Sequence, residues 1–321
     1  MKLKFYILTS ENLHALKRHN DPDFSNILKE DTVVVINSLD EDYIKEAEDY
    51  CKLEKIEYYI TESNGTPSKG KNSVFDIFIA SNNDYCVLID GDDFLTAHGI
   101  WMYKHLATLK TPPDAVCLVN QSSLRNIDDE LFICNPFSVD YDDLINGDYY
   151  TNFREETGLS HEKSMYFESL HKKYYTEQRK YSEGSEVHCR VTWFSKKAAK
   201  FKFNEEVIIG EDTLQMLSLK HEAVQGRLNF YSTDEQPATY IYDEREAGIV
   251  KIESDFGKDY EWMDTYLNAL EDMKNAGQLH EYVLLPELKL DYPSTYKLSK
   301  FELKTTDTTF PTNARETKQA A

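Results

Sequence analysis

Asp84-Tyr-Cys-Val-Leu-Ile-Asp-Gly-Asp-Asp-Phe-Leu95 is the stretch on which the reading of this chain turns. An apolar run, residues 85–89, delivers three carboxylates, Asp90, Asp92 and Asp93, to one strand end. Carboxylate oxygens suit magnesium and manganese, which take one or two acidic side chains and leave their other positions to water and substrate phosphates. A protein metal site completed by phosphate points to a nucleotide substrate. The plainer alternative is a polar turn closing a hairpin, because Asp-Gly is a strong turn signal and acidic side chains are usually just solvated.

The flanking sequence weighs against the plain turn. Residues 65–80, Gly-Thr-Pro-Ser-Lys-Gly-Lys-Asn-Ser-Val-Phe-Asp-Ile-Phe-Ile-Ala, read as a glycine-rich basic loop entering a helix, with Val74, Ile77 and Phe78 spaced for one buried face. Loop, Lys71-Asn72, helix, short polar turn, apolar strand and Asp-x-Asp-Asp together resemble the nucleotide-sugar half of the family 2 glycosyltransferases of the GT-A fold. In that family a basic residue followed by Asn opens the same helix. Residues 188–217 are similar to the family pattern in which a strand and a short helix lead to a Glu-Asp pair at a helix start, here Glu211-Asp212 after a strand at 207–209. Residues 238–249 look like the strand and polar loop that usually close the catalytic domain.

Strands at residues 5–8, 32–36, 57–60 and 115–120, with a solvent-facing helix at 41–53, argue for an α/β architecture with a parallel sheet covered by helices. The resemblance makes this the GT-A nucleotide-diphospho-sugar transferase fold, a Rossmann-like mixed sheet flanked by helices, with a C-terminal helical extension. It implies a transferase domain over 1–250, with 1–120 as the nucleotide-sugar half, 140–202 as an acceptor-side insertion carrying a helix near 163–180, and 203–250 as the catalytic-base half. Residues 251–321 then form the extension, with a helix at 260–274 and a Lys/Thr/Ser-rich tail after Pro293 that has the composition of a disordered segment. Ligands collect at the carboxyl ends of strands in such sheets, so Thr9-Ser10, Asn37-Ser38 and the Asp90 turn are expected to converge.

By resemblance Asp92 is the direct metal ligand, Asp90 lies beside it toward ribose or metal, and Gly91 and Asp93 support the same turn. Lys69 or Lys71 adds positive charge near the phosphates or contacts the base. With Asn72, Thr9, Ser10 and Asn37 they make up the expected nucleotide-sugar set. Asp212 looks like the catalytic base, with Glu211 as second choice. A structural use for Asp212 is also open, since Asp212 and Gln215 have capping-box spacing and acids suit a first helical turn. His188 is either a third metal ligand, an acceptor contact or a structural histidine; His161 and His171 lack ligand spacing. Trp193 and Tyr242 either stack on a sugar or base or are core aromatics.

A formal net charge of -21 disfavours broad attraction to nucleic acid or an anionic membrane. Residues 163–202 run against that total, with ten Lys or Arg against four Glu. The five cysteines, Cys51, Cys86, Cys117, Cys134 and Cys189, form no Cys-x-x-Cys pair and read as reduced thiols. The apolar run after Met1 is too short for a signal peptide, and no run reaches the roughly 20 apolar residues of a membrane helix, so a soluble, cytoplasmic protein without membrane partners is expected. The implied activity is transfer of a sugar from a nucleoside diphosphate, a UDP-sugar first, to an acceptor hydroxyl, with inversion and with Mn2+ or Mg2+ as cofactor. The acceptor is open among a glycan, a metabolite, a protein hydroxyl and, from the basic aromatic-rich insertion, hydroxymethylated DNA bases of the kind modified by phage-type glycosyltransferases. A nucleotidyltransferase of the same fold is the other class. Such enzymes carry a glycine-rich, Arg-containing signature near the first strand, which Leu8-Thr-Ser-Glu-Asn12 lacks.

Overall fold

The computed structural model describes residues 1–20, 27, 30–95, 97–118, 122–127, 130–134, 165, 169–170, 172–174, 176–177, 180–181, 190–233, 238–243 and 261–290. His161, His171, His188, most of the expected insertion, the polar loop at 244–249 and the tail after Pro293 lie outside them.

Strand β1 (Leu3–Thr9) is followed by α1 (Leu13–Arg18), β2 (Thr32–Ile36), α2 (Glu41–Glu54), β3 (Glu57–Ile60), α3 (Pro67–Ala80) and β4 (Tyr85–Asp90). After β5 (Asp93–Leu95) and α4 (Ala97–Leu106) come β6 (Ala115–Leu118), β7 (Ser122–Ile127), β8 (Glu130–Cys134) and β9 (Arg190–Ser195). The last elements are α5 (Glu211–Val224), β10 (Phe230–Thr233), β11 (Ala238–Asp243) and α6 (Glu261–Asn275). Seven strands form one sheet in the order β10-β6-β9-β4-β1-β2-β3, and β5-β11-β7-β8 form a smaller one. In the large sheet β9 alone runs against its neighbours, β4 and β6. This is the Rossmann-like mixed sheet that the sequence led us to expect.

Helices cover both faces of the sheet, which is why β1, β2 and β4 read as nearly continuous apolar runs. Successive side chains of a strand point to opposite faces. Tyr6 and Leu8 of β1 therefore join Phe75 and Phe78 of α3, Leu214 and Leu217 of α5 and Tyr266 of α6 in one core. Phe5 and Ile7 join Leu16, Tyr43 and Met102 in the other. The parallel register pairs Thr9 with Ile36 and Leu8 with Asp90, so these carboxyl ends lie level with one another.

Two boundaries differ from expectation. Helix α3 begins at Pro67, because the Thr66 side chain caps it by accepting from the Lys69 N–H and Pro67 fits the first turn. Lys71 and Asn72 therefore lie inside the helix and do not open it. Residues 207–209 are not a strand; Val207 is buried, with its N–H on the Asn204 carbonyl and its own carbonyl accepting from Ser68. Helix α5 starts at Glu211, so the Glu211-Asp212 pair does stand at a helix start, as expected.

The C-terminal helix is docked, not appended. Met263, Tyr266, Leu267 and Leu270 of α6 are buried in the same core as α3 and α5. Beyond it Leu285 is buried in that core, Leu288 and Leu290 pack on the other, and Glu287 bridges Ser232 of β10. Residues 261–290 thus belong structurally with the unit expected to end at 250. Cys51 and Cys86 are buried free thiols, and Cys117 is buried with its Sγ on the Leu118 carbonyl. Among the described residues no helix is long and apolar enough to cross a membrane.

Candidate active site

Five elements bring charged side chains to the carboxyl end of β4. Asp90 ends that strand, and Gly91 turns the chain back toward Asp93. A Cβ on Gly91 would stand 2.8 Å from the Leu8 carbonyl oxygen and 3.3 Å from the Thr9 Cα, so only glycine lets the turn lie against the end of β1. The Gly91 carbonyl is also held from outside, at 3.2 Å from His19 Nε2. His19 is fully buried, and burial first, with Arg18 beside it, lowers its pKa to about 4 despite the Gly91 contact. The neutral ring donates to Gly91 through Nε2, which leaves Nδ1 a bare acceptor with no hydrogen-bond partner.

Lys71, on the second turn of α3, reaches across to the start of α5. Its ammonium donates to Glu211 Oε1 at 2.9 Å and Asp212 Oδ1 at 2.7 Å, and lies 3.6 Å from Asp90 Oδ2. The side chain is 3% exposed, so this cation is committed to the protein interior. Burial alone would lower its pKa, but Asp212, Asp90 and Glu211 together raise it well above the ordinary lysine range. Glu211 is pushed up by burial, against the pull of Lys71.

Arg190 opens β9 and supplies the second buried cation. Its guanidinium pairs with Asp90 Oδ2 at 2.5 Å and also with Asp93 Oδ2. It carries no role in the sequence reading. The antiparallel register that pairs Val87 with Trp193 sets Arg190 opposite Asp90 three residues further along each strand. A cation at the start of a strand becomes informative only once that strand is known to run against β4.

Five carboxylates, those of Asp90, Asp92, Asp93, Glu211 and Asp212, face two cations, Lys71 and Arg190. With every carboxylate ionised the cluster is short of positive charge. Burial and the Asp90 charge push Asp92 up to about 6. Burial, reinforced by Asp92 and Asp90, pushes Asp93 up to about 8 although Arg190 opposes it. Asp90 moves the other way, because Arg190 and Lys71 outweigh its burial. Its second oxygen, Oδ1, is buried and has no hydrogen-bond partner among the described residues.

These features fit a hard divalent cation, since such an ion takes one or two carboxylates and completes its shell elsewhere. Asp92 and the unpartnered Asp90 Oδ1 are the donors that would hold it. Among the described residues no group of three or more acidic, His or Cys side chains is arranged to hold a metal.

The remaining expected residues fall into two groups. Thr9 lies at the site edge, with its hydroxyl on Tyr43, and Ser10 beside it is exposed. Asn37 is buried and donates to Thr61 Oγ1 at 2.8 Å and the Glu62 carbonyl at 3.0 Å, which ties the end of β2 to the chain after β3. Asn72 donates to the Phe203 carbonyl and Glu205 Oε1 and accepts from the Phe203 N–H. It locks α3 to the segment before α5. Lys69 sits nearer the surface, 3.8 Å from Glu205. Trp193 is fully buried, donates to the Pro113 carbonyl and stacks on Tyr85, as a core aromatic does. The capping-box use of Asp212 is not realised: Gly210 is the N-cap, at φ 86°, no side chain caps the helix, and Asp212 turns to Lys71.

No protein-family model and no curated protein matches this chain. Among solved structures it is similar to Staphylococcus aureus TarS residues 1–349 in complex with UDP-GlcNAc, at 11% identity and a TM-score of 0.49, over 87% of this chain and 69% of that one. The UDP complex of the same TarS fragment aligns over 75% of this chain and 61% of its own, at 10% identity and a TM-score of 0.43. TarS itself aligns at 13% identity and a TM-score of 0.44, over 86% of this chain and 49% of the TarS chain.

Proposed function

We propose that the protein is a metal-dependent glycosyltransferase of GT-A type, moving a sugar from a nucleoside diphosphate sugar to an acceptor hydroxyl with inversion. One observation carries this reading: Asp212, at the first turn of α5, is joined through Lys71 to Asp90 of the Asp-Gly-Asp-Asp turn. The candidate base and the candidate donor-side carboxylate thus share one ion cluster although the chain brings them from opposite halves.

In the proposed reaction the acceptor oxygen bonds to the anomeric carbon as the bond from that carbon to the phosphate oxygen breaks. The acceptor proton passes to Asp212, and the nucleoside diphosphate leaves with the bonding pair. Oδ1 of Asp212 is taken by Lys71, so Oδ2 is the oxygen left to receive that proton. A single displacement assisted by one base inverts the sugar carbon. Asp92 and Asp90 Oδ1 would hold magnesium or manganese, which when bound supplies positive charge to a leaving diphosphate as a Lewis acid. Arg190 keeps Asp90 and Asp93 in place beside it, and Gly91 lets the turn lie close against β1.

UDP-GlcNAc, the ligand named in the TarS complex, is the first donor to test. Release of UDP from it, to water or to an added alcohol acceptor, is expected with manganese and should fall to background in excess EDTA. Turnover undiminished by EDTA would remove the metal from the proposal. If none of UDP, GDP and CDP with manganese raises the melting temperature, the nucleotide-sugar reading itself fails.

A further inference from the structure

Lys71 resides on a helix whose loop would suit nucleotide phosphates, yet its ammonium is consumed inside the protein. Its side chain is 3% exposed and spans three carboxylates from two elements: Glu211 and Asp212 on α5 at 2.9 and 2.7 Å, and Asp90 on β4 at 3.6 Å. Its stem lies against the Phe203 ring, with Nζ 5.3 Å from the ring centroid. The backbone under it is fixed as well. Gly70 packs where a Cβ would meet the Leu8 side chain at 2.9 Å, and Asn72 is bonded to both polar groups of the Phe203 backbone. Residues 70–72 are thus clamped on both sides of the lysine, and Asp212 accepts from the Lys71 ammonium at 2.7 Å.

We infer that Lys71 is a positioning residue for the base: it grips Oδ1 of Asp212 so that Oδ2 faces the acceptor, and it ties that orientation to the donor-side carboxylate Asp90. The role assigned to Asp212 rests on the proposed function; the grip on its carboxylate does not. A lysine suits this task because its ammonium offers three donors, one for each carboxylate in reach. Truncating it removes the grip and leaves acidic groups buried without their counter-charge. A carboxylate displaced by about 1 Å is enough to cost roughly a hundredfold in rate.

The test compares wild type, Lys71→Met and Lys71→Arg in the full chain, with manganese, UDP as the binding probe and UDP-GlcNAc as the substrate. Lys71→Met is expected to lower kcat for UDP release about a hundredfold while changing the UDP Kd less than about threefold. Lys71→Arg, which keeps charge and donors, should recover at least about a tenth of the lost rate. A UDP Kd weakened tenfold or more with kcat preserved would overturn the inference and return Lys71 to the phosphates. Crystal structures of wild type and the Lys71→Met protein give a readout without turnover: Asp212 should reorient, and an unmoved carboxylate overturns the inference even if no nucleotide sugar is a substrate. Should Lys71→Met fail to fold, Lys71→Met combined with Glu211→Gln removes the surplus buried charge, and the same Asp212 displacement is expected in that variant.

Discussion

Asp212 is the residue on which the proposed chemistry converges, and replacing it by Asn separates proton acceptance from shape. The amide oxygen can still accept from Lys71, but the side chain can no longer take a proton from a hydroxyl. Asp212→Asn is therefore expected to lower kcat by about 10²–10⁴-fold while UDP affinity and melting temperature stay near wild type. Retained turnover would move the base to Glu211. His19 offers a second test, on stability. Its pKa is about 4 in the folded chain, against an ordinary value near 6.5. Between those values the unfolded chain binds the extra proton and the folded one does not, so the contribution is present above about pH 6.5 and is lost as pH falls toward 4. At full effect it amounts to about 3 kcal/mol. Urea unfolding at pH 7.5 and 4.5 should show a smaller acid loss in His19→Gln than in wild type; equal losses would mean that the imidazole is not held neutral. At this scale the acidic turn and the Glu-Asp pair were legible because each is a contiguous string. Arg190 was not, since its meaning comes from carboxylates 97 residues away and from a strand direction that composition does not carry.

Helix α5 shows how an element sets the site. It begins on Gly210, whose φ of 86° needs no Cβ and whose absent side chain admits the Tyr266 ring of α6, 2.6 Å from where a Cβ would stand. Gly226 has a similar φ, 69°, but nothing within 4 Å, so the two glycines share backbone strain and differ in packing. Gly226→Ala should cost about 1–2 kcal/mol from the left-handed conformation alone. Gly210→Ala should cost at least about 1 kcal/mol more, because a ring packed in the core cannot give way freely. It should also lower UDP release, since α5 carries Asp212. Equal urea midpoints for the two variants would show that Tyr266 does not press on the helix start. Strands β1 to β4, β6 and helix α2 stood out in the sequence through apolar runs and charge. The start of α5 showed in the Glu211-Asp212 pair, but its tie to Lys71 on another helix did not. The apolar triplet at 207–209 looked like a strand by composition, yet of the three only Val207 is buried.

Over the whole molecule, the sequence placed a boundary near residue 250 and set a helix beyond it. The helix is there, at Glu261–Asn275, with Met263, Tyr266, Leu267 and Leu270 at the spacing of one buried stripe. Spacing reveals that such a stripe exists but not what it covers, and what it covers is α5, in the core that α5 shares with α3. Ending the chain at residue 250 would remove those four side chains and Leu285 from the core and uncover Gly210 beneath Tyr266. Loss of one large buried side chain costs about 2–5 kcal/mol, and a domain has roughly 5–15 kcal/mol in all. A 1–250 fragment should therefore show no cooperative unfolding and no rise in melting temperature with UDP and manganese, whereas a 1–290 fragment should keep both. If the shorter fragment melts cooperatively near the full chain, α6 is an appendage after all, and Tyr266 cannot be what fixes the start of the helix that carries Asp212.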